Sequence, residues 1–244
     1  GVGLASSIVN LATFLAGLWF ATRRRPFRKY RVLGHFWRVD WQLMRQLVVI
    51  GAPISIAFLL EYGLFGAAGL LMGVIGTTAL AAHQIALQIA AILYMVPFGI
   101  SMAATVRVGH AVGRRDAGGV RRAGYIAIWL GIVLAAVLTL AVIISRFAIA
   151  AVFLGESTDA TAELSAALLL VGSTFFIADA IQTVAAGSLR GMNDTRIPLL
   201  FATLSYWLIG FPCDWWLGFQ TPLVAAGAWI GPSVGTPGYA ALLL

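Results

Sequence analysis

The sequence predicts an all-α polytopic membrane protein, on three observations. First, 61% of its 244 residues are hydrophobic and only 10% are charged, against about 25% charged in an ordinary soluble domain. Second, the apolar runs reach about 20 residues or more, the length a helix needs to cross roughly 30 Å of hydrocarbon. Third, the basic residues sit in patches between those runs. The short alternating segments of an outer-membrane barrel are absent, and a helix satisfies its own backbone hydrogen bonds in lipid.

Seven hydrophobic segments follow in order, at about 1–21, 46–75, 79–105, 123–145, 164–189, 197–213 and 222–244. The connection 22–45 carries Arg23, Arg24, Arg25, Arg28, Lys29, Arg31, Arg38 and Arg45. The connection near 106–122 carries Arg107, Arg114, Arg115, Arg121 and Arg122, and the turn "LRGMNDTRIP" carries Arg190 and Arg196. With seven spans these connections share one side, so every basic residue except Arg146 falls on one face. The excess of Lys and Arg on cytoplasmic loops makes that face, and the carboxyl terminus, cytoplasmic. The opposite connections agree: "GESTDATAE" is acidic and "GFPCDWWLGFQTP" aromatic. Trp207, Trp215 and Trp216 are expected in an interfacial belt near the outer end of the sixth span.

Within this frame Asp40 is positioned to cap the helix starting near Trp41, and Pro198 falls in the first turn of the next-to-last span. Pro53, Pro97, Pro232 and Pro237 lie inside spans, where each removes a backbone donor. Gly69 and Gly73 form a small-xxx-small pair that predicts close helix packing. The sequence opens at Gly1 inside an apolar run and closes in "YAALLL", so it is expected to be a piece of a longer chain, with no signal peptide.

Several classes are excluded. The formal charge of +7 sits between hydrophobic spans without a nucleic-acid motif. Cys213 is the only cysteine, so no intrachain disulfide or multi-cysteine metal site exists. There is no G-x-x-x-x-G-K-[ST] phosphate loop, metal-ligand cluster, or nucleophile with a base, so neither an ATP-driven pump nor an enzyme is expected, and no cofactor. Asp116 and Asp194 belong to cytoplasmic turns.

The chemistry rests on two acidic residues deep in spans. Glu61 lies about 15 residues from the cytoplasmic start of its span and Asp179 about 15 from the outer start of its own, so both fall near the midplane. A charge there costs roughly 2.5 to 3.5 kcal/mol on insertion scales. Either each carboxyl is a protonated or kink-bound structural group, or the pair exchanges a proton or Na⁺ with an organic cation. One turn from Asp179 lie Phe175 and Phe176 on the outer side and Gln182 and Thr183 on the inner. The aromatic pair suits a lipophilic cation. On the span after Glu61, Gln84, Gln88 and Tyr94 make a polar stripe that would line a cavity. His83, in the first turn of that span, is expected to be interfacial rather than a proton relay.

Three stretches, "GAPISIAFLLEYGLF", "LAAHQIALQIAAILYMVPFGISMAATVRVGHAVGRRD" and "DAIQTVAAGSLRGMNDTRIP", resemble the carboxyl-terminal half of multidrug and toxic compound extrusion (MATE) transporters of the NorM type. The resemblance covers nearly the whole chain. It implies twelve helices in two six-helix bundles about a central cleft. Residues 1–21 would then end the sixth helix, 22–45 would link the bundles, and 46–244 would form the carboxyl-terminal bundle, completed by a missing amino-terminal one. It also implies that Glu61 and Asp179 are the acidic pair of cation coupling, with Na⁺ or H⁺ as coupling ion, and that Phe65, Gln84 and Tyr94 line the drug cleft. Some Na⁺-coupled relatives carry a tyrosine one turn before the aspartate; here that position is Phe175.

The implied function is a cation-coupled multidrug efflux antiporter of the bacterial inner membrane. A lipid-linked oligosaccharide or polysaccharide flippase of the same superfamily is the alternative. Its cavity would need cationic side chains for pyrophosphate, whereas the span interiors offer carboxylates. A purely structural membrane protein, or a channel, is less well matched.

Overall fold

The computed structural model describes residues 2–23, 40–154, 159–220, 227 and 229–244, and every element among them is helical. They fall into two units, Gly1–Val49 and Ile50–Leu244. The first holds helix α1 (Val2–Arg23) and the start of α2 (Trp41–Ile75). The basic residues from Arg24 to Arg38 and the first four residues of "GESTDATAE" lie outside the described residues. Asp40 caps α2: its Oδ1 accepts the amides of Gln42 at 3.0 Å and Leu43 at 3.1 Å.

In the second unit α2 continues from Ile50, followed by α3 (Thr77–Gly113), α4 (Ala117–Leu154) and α5 (Asp159–Gly191). Then come α6 (Arg196–Ala202), a π-helical segment (Thr203–Gly210), α7 (Phe211–Gln220) and α8 (Ile230–Leu243). Six helices among the described residues are long and apolar enough to cross a membrane. The described part of the seventh hydrophobic segment is the 14-residue α8.

The helices overrun the hydrophobic segments that announce them. Helix α3, with 37 residues, is about 55 Å long at 1.5 Å per residue, more than the roughly 30 Å of hydrocarbon. Arginine is a good helix former, so the basic ends continue the helix instead of breaking it. What breaks α2 from α3 is Gly76 alone, at φ 154°, a conformation that side chains other than glycine's avoid.

Helix α5 is the hub, packed against α3, α4 and α8. Its contact with α3 depends on two glycines one turn apart. A Cβ on Gly187 would overlap Ser101, and one on Gly191 would meet the Thr105 carbonyl at 2.6 Å. The close approach lets Ser101 Oγ donate to the Thr183 carbonyl at 2.8 Å and Thr105 Oγ1 to the Gly187 carbonyl at 2.7 Å. This pair, and not Gly69 and Gly73, makes the tight helix crossing. Gly73 has open space where a Cβ would sit, and Gly69 faces only the imidazole of His83.

The π-helical segment has a cause in the sequence. Pro212 lacks an amide proton, and its ring would crowd the Leu208 carbonyl in a regular α-helix. The chain widens instead, and the Phe211 amide reaches back five residues to the Tyr206 carbonyl. Such local adjustments re-satisfy backbone groups where no water is available.

Candidate functional site

Glu61 from α2 and Asp179 from α5 meet through Gln182, one turn beyond Asp179 on the same face of α5. The Gln182 amide nitrogen donates to Asp179 Oδ1 at 2.8 Å and to Glu61 Oε1 at 3.3 Å. Its carbonyl Oε1 accepts the Tyr206 hydroxyl at 2.7 Å. Tyr206 comes from the π-helical segment, and both Gln182 and Tyr206 are 1% exposed. Because the tyrosine donates to the amide oxygen, the amide nitrogen is turned toward the two carboxylates. The arrangement puts four residues from three elements into one polar network inside an apolar bundle.

Glu61 stands at the boundary of two cavities, and Asp179 lines the larger of them. The larger, about 850 Å³, is lined by Phe65 and Gly69 of α2, Gln84, Gln88 and Tyr94 of α3, and Phe175 and Phe176 of α5, besides Glu61 and Asp179. This falls within the range of small-molecule sites. The smaller, about 20 Å³, has room for about one water and is lined by Glu61, Tyr94, Gln182, Thr183, Arg190 and Tyr239, among others. Of the residues expected at the cleft, Phe65, Gln84, Gln88, Tyr94 and Phe175 line the larger cavity, whereas Gln182 and Thr183 do not. Those two are buried behind the carboxylates, because α5 turns them toward α3 and the π-helical segment.

Aromatic rings stand about one helical turn from the carboxylates. Phe175 packs against Phe65 at 6.2 Å, Phe176 at 5.1 Å and Trp229 at 6.0 Å between ring centroids. No hydroxyl stands at position 175, and the phenol nearest this network is Tyr206, delivered from another helix. His83 differs from the sequence expectation: it is 1% exposed, and its Nδ1 accepts the Trp229 indole N–H at 3.0 Å. Its interfacial sequence position gave no hint of a partner 146 residues away. Trp207 donates to the Leu60 carbonyl at 3.2 Å, and it is exposed, as are Trp215 and Trp216.

Three further residues were not visible in the sequence as part of the interior. Arg190 folds back from the end of α5 over the Phe58 ring, 5.1 Å from its centroid, and lines the smaller cavity with Glu61. Against the expectation that the span interiors offer no arginine, Arg190 therefore lines the smaller cavity. Tyr239 packs on Tyr206 at 5.5 Å. Asp214, expected in an outer connection, is fully buried; its Oδ1 accepts the Gly231 amide at 2.9 Å at the start of α8. Among the described residues no three His, Cys, Asp or Glu side chains gather as a metal cluster.

A helical membrane bundle whose wide cavity ends on two carboxylates tied to one buried amide is the build of an integral membrane transporter. The comparisons with known proteins give the family. The MatE family profile matches residues 53–216, and the chain belongs to that family, the MATE transporters. It is 59% identical over its whole length to a probable multidrug resistance protein NorM of Bradyrhizobium diazoefficiens, covering 53% of that protein. It is 41% identical to the multidrug resistance protein NorM of Burkholderia vietnamiensis, again covering 53% of it. The chain thus spans about half the length of the curated relatives it matches. Among solved structures, the eukaryotic MATE transporter AtDTX14 superposes with a TM-score of 0.84 at 24% identity, over 96% of this chain and 51% of that one. That likeness speaks for the fold.

Proposed function

We propose that the chain is the carboxyl-terminal bundle of a cation-coupled multidrug efflux antiporter in the bacterial inner membrane. In this reading residues 1–21 end the preceding helix, 22–45 link the bundles on the cytoplasmic side, and 46–244 form one wall of the cleft, with the carboxyl terminus cytoplasmic. The observation that carries it is the shared donor: Glu61 and Asp179 depend on one Gln182 amide nitrogen at the floor of a cavity walled by aromatic rings. A single amide cannot neutralise two carboxylates, so a cation is the natural third partner. An organic cation from the cavity and a coupling Na⁺ or H⁺ would compete for it, and competition for one site is what exchange requires. Rocking of two bundles about such a midplane site would expose it to each side in turn.

Na⁺ would find oxygen ligands in the two carboxylates and the Tyr206 hydroxyl; a proton would need only the carboxylates. Among the described residues the cavity lining contains no lysine or arginine, which suits cationic cargo better than the pyrophosphate of a flippase. The test is efflux of a fluorescent organic cation by the full-length transporter in cells lacking their own exporters, under separate Na⁺ and proton gradients. Glu61→Gln and Asp179→Asn should each lower efflux at least tenfold at matched expression, and one gradient alone should drive the wild type. Efflux by both variants at the wild-type rate would remove the coupling site from this pair.

A further inference from the structure

The α3–α4 hairpin holds a third cavity, unconnected with the carboxylates. It measures about 400 Å³ and is lined by Arg107 and His110 of α3, by Arg114 at its carboxyl-terminal cap, and by Gly119, Arg122 and Ile126 of α4, among others. The basic residues 107, 110 and 114 recur at i, i+3 and i+7; on α4 the lining residues Gly119, Arg122 and Ile126 repeat the same spacing. Two matching helical stripes therefore face each other across a groove. Small residues at its floor, Ala111, Gly119 and Ala123, keep it open. The carboxylate of the connecting turn, Asp116, is engaged with the backbone: its Oδ1 accepts the Gly119 amide at 2.8 Å. Among the described residues no carboxylate pairs with Arg107, Arg114 or Arg122.

Depth and surroundings identify the occupant. Arg107 begins the last turns of a helix about 55 Å long, and those turns extend past the hydrocarbon into the headgroup layer. From Ile126 an exposed apolar stripe, Ile126, Leu130, Val133 and Val137, runs along α4 toward the membrane interior. We propose that this groove binds the phosphate of an anionic phospholipid headgroup, with an acyl chain lying along the α4 stripe. Free phosphate would satisfy the three guanidinium groups but has no use for the stripe. Arginine suits the role because its planar fork pairs with two phosphate oxygens at once. The site rests on the same cytoplasmic orientation proposed for the transporter, but not on its coupling chemistry.

The test uses the full-length transporter, purified in neutral detergent, with bound lipid counted by native mass spectrometry. Dioleoyl phosphatidylglycerol is titrated against dioleoyl phosphatidylcholine into the wild type, into R107Q/R114Q/R122Q and into R115Q/R121Q, which changes two arginines outside the groove. Phosphatidylglycerol should bind the wild type and the outside variant alike. It should bind the groove variant roughly 100-fold more weakly, at about fivefold per arginine. Equal loss in both variants, or no preference over phosphatidylcholine, would overturn the site in favour of diffuse surface charge. Displacement of the lipid by millimolar inorganic phosphate would overturn the lipid assignment in favour of a soluble anion. The single variant R107Q, expected to bind about fivefold more weakly, keeps the test decisive if the triple variant does not fold. None of these readings requires efflux, so failure here leaves the antiporter reading standing, and the reverse.

Discussion

Helices α2 and α5 each contribute one carboxylate to the network, yet they are held in opposite ways. Asp179 sits on a helix fixed by the Gly187 and Gly191 crossing and two short side-chain bonds from Ser101 and Thr105. Glu61 sits on a helix held by side chains instead: Leu64, Ala68 and Met72 are buried, the Trp207 indole donates to the Leu60 carbonyl at 3.2 Å, and the Gln182 amide reaches Glu61 itself at 3.3 Å. One acid is fixed by close backbone approach and the other by side-chain packing.

The comparison can be broken most severely at the crossing. Gly187→Leu forces a side chain into Ser101 and should cost about 3 kcal/mol or abolish folding, as overpacking does, visible as lost monodisperse protein on fluorescence-detected size exclusion. Gly73→Ala, a smaller change inside α2, meets open space and should leave the protein folded and, if anything, more stable by about 0.5 to 1 kcal/mol. Equal damage from both would erase the contrast between the helices. Next in size, Gln182→Leu removes the shared donor and leaves two acceptors unsatisfied, at about 1 to 3 kcal/mol. Efflux should fall at least tenfold with the protein still folded. Tyr206→Phe removes only the bond that orients the amide and should cost about 1 kcal/mol, lowering efflux less than the glutamine change does. Trp229→Phe, a change away from the carboxylates, loses the bond to His83 and shrinks a buried ring, and should cost about 1 to 3 kcal/mol in a thermal unfolding series.

The spans, the carboxylate pair and the cavity-facing Gln84, Gln88 and Tyr94 were legible because each departs from its surroundings: a long apolar run, a charge within it, or a polar residue repeating by turns; Phe65 came only with the family resemblance. What stayed hidden has a common physical origin. In a soluble helix the apolar stripe tells which side faces inward; in a membrane the lipid side is as apolar as the core, so that signal vanishes. The run "TLSYWLIG" therefore gave no sign that Tyr206 turns toward Gln182 while Trp207 turns toward α2. The two small-residue pairs, Gly69 with Gly73 and Gly187 with Gly191, share one spacing, and only helix rotation decides which becomes a crossing. Arg190 was counted with its loop because sequence shows where a side chain starts and not where its long stem ends.

The π-helical segment also sets a phase. Removing one residue from 203–210 would let the chain resume the α pitch and turn everything before the deletion by about 100° relative to everything after it. Tyr206 lies on one side of that step and Asp214, bonded to Gly231, on the other. The pair of anchors can be met together only while the extra residue is there, so this stretch tolerates replacement of its side chains far better than any change in its length.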